Sequence, residues 1–393
     1  MSPDFDRYSR AQLERRTGVK WHRDGAAILP AWVADMDFPI AREVTAAMQN
    51  LISTDDLGYP DPALDEAVRQ AFAARVARRY RLVVDPERVV VVSDVVQAIY
   101  LCLLAYTEPG DGVAFLTPAY PPFFSAVADT GRRALVCDLI AGPQRYELDL
   151  ARLRSVVHEG NARMILLCNP HNPTGRSFSA AELAGIAEIA IENDLPVVSD
   201  EIHADLTLRG SSHVAYGSLG GPAAAQSVTL SSASKAFNLA GLRCAVAAFG
   251  SEELQERFAR FPRHARGSVS VLGMVAAIAA WERGDGWLET ALEVLADNRA
   301  VLEGWARERL GDRALLSPEA TYLAWLDLRA HGLGDNPAVW LREHARVALS
   351  PGPDFGAPGA GHARLNFATT PALLEEMLER ISSALEAGTS APR

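Results

Sequence analysis

Lysine is nearly absent from this chain of 393 residues. Among its 38 lysine and arginine residues, only Lys20 and Lys235 are lysines, so arginine supplies almost every positive charge. Arginine stays protonated and is a poor nucleophile, whereas a lysine amine can form a Schiff base. Lys235 lies in a serine-rich turn between two apolar runs, which makes it a candidate Schiff-base lysine. Its spacing alone also fits a solvated loop lysine.

Other features are also scarce, and each excludes a class of protein. No apolar run approaches the length of a membrane span, and residues 1–20 are polar, without a signal region. The net charge of −11 disfavours nucleic acid and anionic membrane surfaces as partners. The four cysteines lack metal-ligand spacing and lie in apolar segments, as expected in a reducing compartment. We therefore expect a cytoplasmic protein without a metal site. The cysteines are Cys102, Cys137, Cys168 and Cys244.

Short apolar segments alternate with helical segments from about residue 88 to residue 249. Continuous apolar strands between helices are typical of a mostly parallel sheet that is covered on both faces. We therefore predict an α/β fold of three layers, with helices over 39–52, 62–80, 95–106 and 121–129 and a last strand over 241–249. The length suits two domains. The predicted division is a large domain over 41–283 and a smaller α/β domain formed by 1–40 and 284–393.

Polar residues interrupt the apolar pattern where the predicted strands end. In parallel α/β sheets, ligands bind beyond the carboxyl ends of the strands. Side chains from separate loops should therefore meet in one cleft at this edge. The residues concerned are Asp94, Tyr120, Asn172, Asp200 and Lys235.

Residues that neighbour Lys235 and Asp94 in the sequence suit a phosphate group. Ser232 and Ser234 offer hydroxyls, and Arg243 offers a guanidinium fork. The predicted helix start at Val95 adds backbone N–H groups and the positive end of a helix dipole. This end of the cleft is a predicted anion site.

The remaining polar residues suit an aromatic, electron-accepting group. Asp200 ends a buried strand, where an unpaired carboxylate is costly. It is either the N-cap of the next segment or the partner of a protonated heteroaromatic nitrogen. Tyr120 offers a ring face for stacking, and Lys235 offers the amine. With the anion site, these are the parts that a pyridoxal phosphate site needs.

Four of eight longer motifs in the chain contain residues of this predicted site. Two of them have superfamily-specific patterns, LLCNPHNPTG (166–175) and SASKAFNLAGLR (232–243). The others are WVADMDFP (32–39), GYP (58–60), TPAYPPF (117–123), VVSDEIH (197–203), TYLAWLDLR (321–329) and ARLNFAT (363–369). On these motifs, nearly the whole chain resembles the fold-type I pyridoxal-phosphate enzymes of the class I/II aminotransferase superfamily. Within it, the chain is most similar to the MalY/PatB-type cystathionine β-lyases (C–S lyases).

The resemblance implies a role for each residue around the cofactor ring. Lys235 would hold the cofactor and later move the substrate Cα proton. Asp200 would pair with the pyridine nitrogen, and Tyr120 would stack on the ring. Asn172 and His203 would be partners of the ring hydroxyl, with His203 standing where many aminotransferases have tyrosine.

The resemblance also implies how the phosphate is held and that the enzyme is a homodimer. The helix start at Asp94, Val95 and Val96 matches the phosphate-binding helix of the family. Tyr59 matches a residue that reaches the phosphate of the neighbouring subunit, so the sites would be shared across a dimer. Arg243 fits the superfamily phosphate pattern, whereas some C–S lyases lack an arginine there.

Substrate recognition is implied by two further matches. Arg364 matches the residue that clamps the substrate carboxylate, with Asn172 beside it. Trp32 lies in the motif that would line the substrate side. For Arg364, its position alone also fits a surface strand residue.

The expected function is α,β-elimination from cystathionine or another cysteine S-conjugate, yielding pyruvate, ammonia and a thiol. The same residues could instead carry out transamination, and Arg243 keeps that alternative open. A second alternative is a regulatory protein that binds a transcription factor, as some relatives of this branch do. The intact set of Lys235, Asp200 and Asn172 argues against a catalytically inactive binder.

Overall fold

The computed structural model describes residues 5, 7–262 and 264–389. Its α-helices begin and end close to the capping signals of the sequence. For example, Asp61 accepts the Ala63 N–H and Pro62 is the first helical residue of α4. The helices are α1 Arg10–Leu13, α2 Val19–His22, α3 Arg42–Ser53, α4 Pro62–Tyr80, α5 Val95–Tyr106, α6 Pro121–Asp129, α7 Leu150–Glu159, α8 Ala180–Glu192, α9 Gly221–Ala225, α10 Glu252–Ala259, α11 Val271–Arg283, α12 Asp285–Arg309, α13 Pro337–His344 and α14 Pro371–Thr389.

The strands are short, and most are apolar. They are β1 Leu29–Pro30, β2 Val89–Val92, β3 Gly112–Thr117, β4 Arg133–Asp138, β5 Ile140–Ala141, β6 Tyr146–Glu147, β7 Ala162–Cys168, β8 Val197–Asp200, β9 Ser227–Ser231, β10 Ala245–Phe249, β11 Leu323–Asp327, β12 Val347–Ala348, β13 Ser350–Pro351 and β14 His362–Asn366. None of the described helices is long and apolar enough to cross a membrane.

The central sheet has seven strands in the order β2-β10-β9-β8-β7-β3-β4. Only β10 runs against its two neighbours, so the sheet is mostly parallel, as predicted. Helices cover both faces. Val198 packs into the core that includes α5 and α10, while Val197 packs into the core that includes α7 and α8. Successive side chains of a strand point to opposite faces, so a strand buried on both faces needs a continuous apolar run.

A second sheet lies in the C-terminal part of the chain, in the order β11-β14-β13. The N-terminal segment joins this part, because β1 pairs with β12 in parallel. The division into 41–283 and 1–40 plus 284–393 stays a prediction, and residues 1–4, 6, 263 and 390–393 lie outside the described part of the chain.

Two predicted elements begin later than the sequence pattern indicated. The predicted strand over 241–249 begins at Ala245, because Ala240–Leu242 forms a 3-10 turn and Arg243 has a left-handed backbone with φ of 53°. The helix predicted from residue 39 begins at Arg42, after the extended N-cap Ala41. Both shifts lengthen irregular segments that lie beside the cleft described next.

Candidate active site

The polar residues that end the strands meet in one cavity of about 180 Å³. Its wall contains each residue predicted for the cofactor except Tyr59, and it also contains Arg364. The carboxyl ends of parallel strands share one edge of a sheet, and this brings loops that are distant in sequence together. The lining residues are Ala34, Ser93, Asp94, Val95, Val96, Tyr120, Cys168, Asn172, Asp200, Ile202, His203, Ser232, Ser234, Lys235, Ala240, Arg243, Cys244 and Arg364.

Lys235 points its amine at a main-chain oxygen from the N-terminal segment. Its Nζ donates to the carbonyl of Ala34 over 2.9 Å. Burial lowers the pKa of the Lys235 amine, and the nearby Asp35 carboxylate opposes that shift. A lowered pKa leaves more of the amine unprotonated at neutral pH, and the unprotonated amine is the form that attacks as a nucleophile or takes up a proton.

Asp200 is buried at the end of β8, with 4% of its surface exposed. Burial raises the pKa of its carboxyl to about 7, although the Ile202 N–H that donates to Oδ1 partly opposes this rise. That bond lies within the turn, and the following 3-10 helix has His203 as its N-cap. Asp200 is therefore a buried carboxyl that a cationic partner in the cavity would ionise.

His203 and Asn172 face the cavity from neighbouring loops. His203 is buried, and no residue in the described part of the chain is a partner for its Nδ1 atom. Burial lowers the pKa of its imidazole to about 3. The ring is therefore neutral and has one unused polar atom. Asn172 accepts a hydrogen bond from Arg364 Nη1 over 2.9 Å.

Arg364 lies on β14 and is 6% exposed, so it is not a surface strand residue. Its Nη2 donates to the Trp32 carbonyl over 2.8 Å and to the Ser350 hydroxyl over 2.9 Å. Its Nε is buried, and none of the residues that the structure describes accepts a hydrogen bond from it. Burial lowers the pKa of the guanidinium to about 10, which leaves it charged at neutral pH. A buried cation that keeps a free donor is suited to a carboxylate.

The start of α5 forms another part of the cavity wall. Asp94 caps this helix by accepting the Gln97 N–H, and its second oxygen accepts from Arg243 over 2.7 Å. The main-chain amides of Val95 and Val96 are first-turn donors, which have no intrahelical acceptor. They lie beside Arg243 in the cavity wall and suit an anion.

The two serines of the lysine turn differ in their contacts. Ser232 donates to the Cys244 carbonyl over 2.6 Å and accepts the Ser234 N–H over 3.0 Å, so its hydroxyl holds the turn together. Both serines nevertheless line the cavity.

Sequence reasoning missed the acceptor of the lysine amine. The Ala34 carbonyl also accepts from the Tyr322 hydroxyl over 2.8 Å, so one main-chain oxygen joins the lysine turn to β11 and its neighbours. The motifs WVADMDFP (32–39) and TYLAWLDLR (321–329) contain Ala34 and Tyr322. A main-chain carbonyl, however, carries no sequence signal of its own.

Two predicted site residues lie outside this cavity. Tyr59 is fully exposed and lines a separate cleft that includes Arg266 and Val269. Trp32 contributes its carbonyl to Arg364, whereas its ring packs under the Arg23 guanidinium, 3.6 Å from the ring centroid. Within residues 5, 7–262 and 264–389, no group of three or more histidine, cysteine, aspartate or glutamate residues could hold a metal ion.

Comparison with known proteins places these observations in a family. The family model "Aminotransferase class I and II" matches residues 33–381. A putative cystathionine β-lyase of Mycobacterium tuberculosis is 39% identical, over 94% of this chain and 95% of the relative. Cystathionine β-lyase PatB of Bacillus subtilis is 34% identical, over 95% of this chain and 98% of the relative. The crystal structure of a putative PLP-dependent β-cystathionase from Corynebacterium diphtheriae superposes with a TM-score of 0.91 at 33% identity, over 98% of this chain and 99% of that one.

Proposed function

Because this chain belongs to the class I and II aminotransferase family, we propose that it is a pyridoxal 5′-phosphate-dependent carbon–sulfur β-lyase. Its substrate is cystathionine or a related cysteine S-conjugate, and its products are pyruvate, ammonia and a thiol. Full-length relatives named cystathionine β-lyase support this reaction. The observation that carries the proposal is the convergence of Lys235, Asp200 and Arg364 on one cavity.

The cavity fits pyridoxal phosphate. The unpartnered His203 Nδ1 and the Asn172 amide suit its ring hydroxyl, and the start of α5 with Arg243 suits its phosphate. The raised pKa of Asp200 means that a pyridinium beside it would convert a neutral carboxyl into a stabilised carboxylate. When bound, the cofactor supplies an electron sink for the charge that develops at the substrate Cα.

Arg364 and Asn172 would hold the substrate carboxylate. Their mutual bond, together with the bonds from Arg364 to Trp32 and Ser350, fixes the guanidinium before substrate arrives. A fixed carboxylate restricts rotation of the substrate, so its Cα–H bond can be aligned with the lysine amine.

Lys235 takes the Cα proton. Its amine is buried, its pKa is lowered by that burial, and the Ala34 carbonyl holds it in one direction. As the Cα–H electrons form the new Cα–Cβ double bond, the Cβ–S electron pair leaves with the sulfur as a thiolate. Water then converts the released aminoacrylate to pyruvate and ammonia.

The proposal includes a homodimer with shared sites. Tyr59 is fully exposed, and Ile52 and Leu57 are each more than half exposed on the same part of the chain. A second copy that covers this surface would bring Tyr59 towards the other subunit's phosphate group, as the family resemblance implies. The four cysteines are buried free thiols, which supports a reducing, cytoplasmic location. Neither nucleic acid nor a membrane is part of the proposal.

A product assay tests the reaction. The purified protein is incubated with cystathionine, and free thiol and pyruvate are measured with and without an added 2-oxo acid. We expect both products in equal amounts without the 2-oxo acid. Turnover that requires the 2-oxo acid and releases no thiol would establish the aminotransferase alternative instead.

A further inference from the structure

We infer that Asn238 is a positioning residue for Lys235. Its side-chain amide clamps the main chain of Met36 and thereby holds the Ala34 carbonyl against the lysine amine. The inference deepens the proposed function. The kinetic experiment below rests on that function, whereas the labelling experiment does not.

The clamp closes a ring between the lysine turn and the N-terminal segment. Asn238 follows Lys235 by three residues on the same turn. Its Nδ2 donates to the Met36 carbonyl over 2.9 Å, and its Oδ1 accepts the Met36 N–H over 2.9 Å. Two residues earlier in that segment, the Ala34 carbonyl accepts from Lys235. Two contacts, from Lys235 to the Ala34 carbonyl and from Asn238 to Met36, thus fix the distance between the lysine turn and the Ala34 carbonyl.

The clamped segment has no regular structure to hold it. Residues 31–41 lie between β1 and α3 and form neither helix nor strand. Side chains therefore supply many of the hydrogen bonds that hold this segment in place. Asn366 on β14 donates to the carbonyls of Val33 and Asp35, which ties the segment to the strand of Arg364. Asn238 ties it to the lysine turn. The two asparagines therefore fix the position of Ala34 relative to both the lysine turn and the strand that carries Arg364.

The residue type at 238 indicates that the side chain matters. The backbone of Asn238 is left-handed, with φ of 59°, a conformation that glycine adopts more readily than asparagine. Glycine would satisfy the turn but could not clamp Met36. Asparagine has both a donor and an acceptor on one amide and can pair with a peptide N–H and C=O together.

Release of the clamp should alter the lysine amine itself. The charged groups that act on the pKa of the Lys235 amine are Asp35, Arg364, Asp200 and Arg243, and an Asn238 variant removes none of them. Asp35, whose carboxylate raises this pKa, lies in the clamped segment and moves with the Ala34 carbonyl, so both changes act in the same direction. The Ala34 carbonyl favours the protonated amine by accepting its hydrogen. When the carbonyl moves away, the pKa of Lys235 should fall further and more of the amine should be neutral near pH 7.

The first experiment compares Asn238→Gly with Asn161→Gly, because Asn161 also has a left-handed backbone, with φ of 50°, but is exposed and lies outside the cavity. The full-length apoprotein is labelled with trace acetic anhydride across a pH series, and the Lys235 peptide is quantified by mass spectrometry. We expect Asn238→Gly to label at least ~3-fold faster at pH 7, with a profile displaced to lower pH. Asn161→Gly should label at the wild-type rate.

The second experiment measures holoenzyme kinetics with cystathionine. We expect kcat for Asn238→Gly to fall on the order of 10-fold while KM changes less than ~3-fold, because Lys235 moves the proton and Arg364 still binds the carboxylate. The melting temperature should stay within about 4 °C of wild type, since glycine suits the left-handed turn. A variant that is merely less stable would not split kcat from KM.

A second variant keeps the test decisive if Asn238→Gly fails to fold. Asn238→Ala also removes both hydrogen bonds to Met36 and adds no charge near Lys235, so it should shift labelling and kcat in the same directions. Wild-type labelling and wild-type kcat in the folded variants would overturn the inference. If the wild-type enzyme releases no thiol, the proposed function fails, while the labelling comparison still decides the role of Asn238.

Discussion

Lys20 and Lys235 donate hydrogen bonds to the carbonyls of adjacent residues. Lys20 Nζ lies 3.0 Å from the Asp35 oxygen, and Lys235 Nζ lies 2.9 Å from the Ala34 oxygen. Lys20 is also locked in a buried ion pair with Asp37 over 2.8 Å. The two lysines therefore bind the main chain of the same segment, at Ala34 and Asp35, but of the two only Lys235 lines the cavity.

Lys20→Met should destabilise the protein strongly. It leaves the Asp37 carboxylate buried, and among residues 5, 7–262 and 264–389 only the Trp21 indole N–H remains as a side-chain donor to it. Loss of one partner from a buried pair costs about 3–5 kcal/mol, whereas replacement of both partners by apolar residues is often close to neutral. We therefore expect urea unfolding to show a large loss for Lys20→Met and a recovery of most of it in Lys20→Met/Asp37→Leu.

The matched control for this pair is Arg283→Met, which removes an exposed ion pair with Glu282. Its free energy of unfolding should change by less than about 1 kcal/mol. Equal losses for Lys20→Met and Arg283→Met would contradict the assigned burial.

Asp200 should make the apoprotein less stable as pH rises. Its pKa is raised from 3.8 to about 7 by burial, so between these values the folded state binds a proton that the unfolded state has lost. Stability then falls as pH rises from about 4 to 7. Asp200→Asn removes this penalty, which corresponds to roughly 4 kcal/mol at pH 8. Thermal unfolding of the apoproteins should show the variant more stable at pH 8 and equal to wild type at pH 4. A stability difference that is the same at pH 4 and pH 8 would count against a neutral buried carboxyl.

Arg364→Lys should lower kcat/KM for cystathionine. Lysine keeps the charge but cannot reproduce the planar, two-bond contact with a carboxylate. Loss of charge-assisted hydrogen bonds of about 2–4 kcal/mol corresponds to roughly 30- to 1,000-fold. Steady-state kinetics checks this, with the exposed Arg329→Lys as the control. If both variants retain wild-type kcat/KM, Arg364 does not clamp the substrate.

Tyr59→Phe should weaken cofactor retention across the proposed dimer. One hydrogen bond to a charged phosphate contributes about 1.5–3 kcal/mol, or roughly a 10- to 150-fold rise in Kd. Fluorescence titration of the apoprotein measures this, with Tyr100→Phe, whose hydroxyl bonds to Asp129, as the control. Sedimentation should give twice the chain mass, and a monomer that stays fully active at nanomolar concentration would refute the shared site.

The sequence predicted those parts of the fold that depend on local pattern. The helices at Pro62–Tyr80, Val95–Tyr106 and Pro121–Asp129 begin and end where predicted, because proline or a capping aspartate marks their starts. The last strand of the central sheet was predicted to begin four residues too early. The left-handed backbone at Arg243 ends the lysine turn there, and an apolar pattern does not show it.

The site was predicted as far as side chains reveal it. Residues at strand ends could be grouped, since parallel strands share one edge. The contacts of the Ala34 carbonyl and of Asn238 with Met36 could not be predicted, because main-chain groups are the same in every residue and leave no pattern in the sequence. The Lys20 and Asp37 pair joins a short helix to an irregular segment, so no periodicity links them. The predicted role of Tyr59 requires the proposed second copy of the chain.

Borohydride trapping tests most directly the central claim that Lys235 holds the cofactor. The purified holoenzyme is reduced, digested and mapped by mass spectrometry. We predict a pyridoxyl-phosphate mass increase on the Lys235 peptide, an unmodified Lys20 peptide, and no trapped adduct in Lys235→Ala. A reduced adduct on Lys20, or one that persists in Lys235→Ala, would contradict the account.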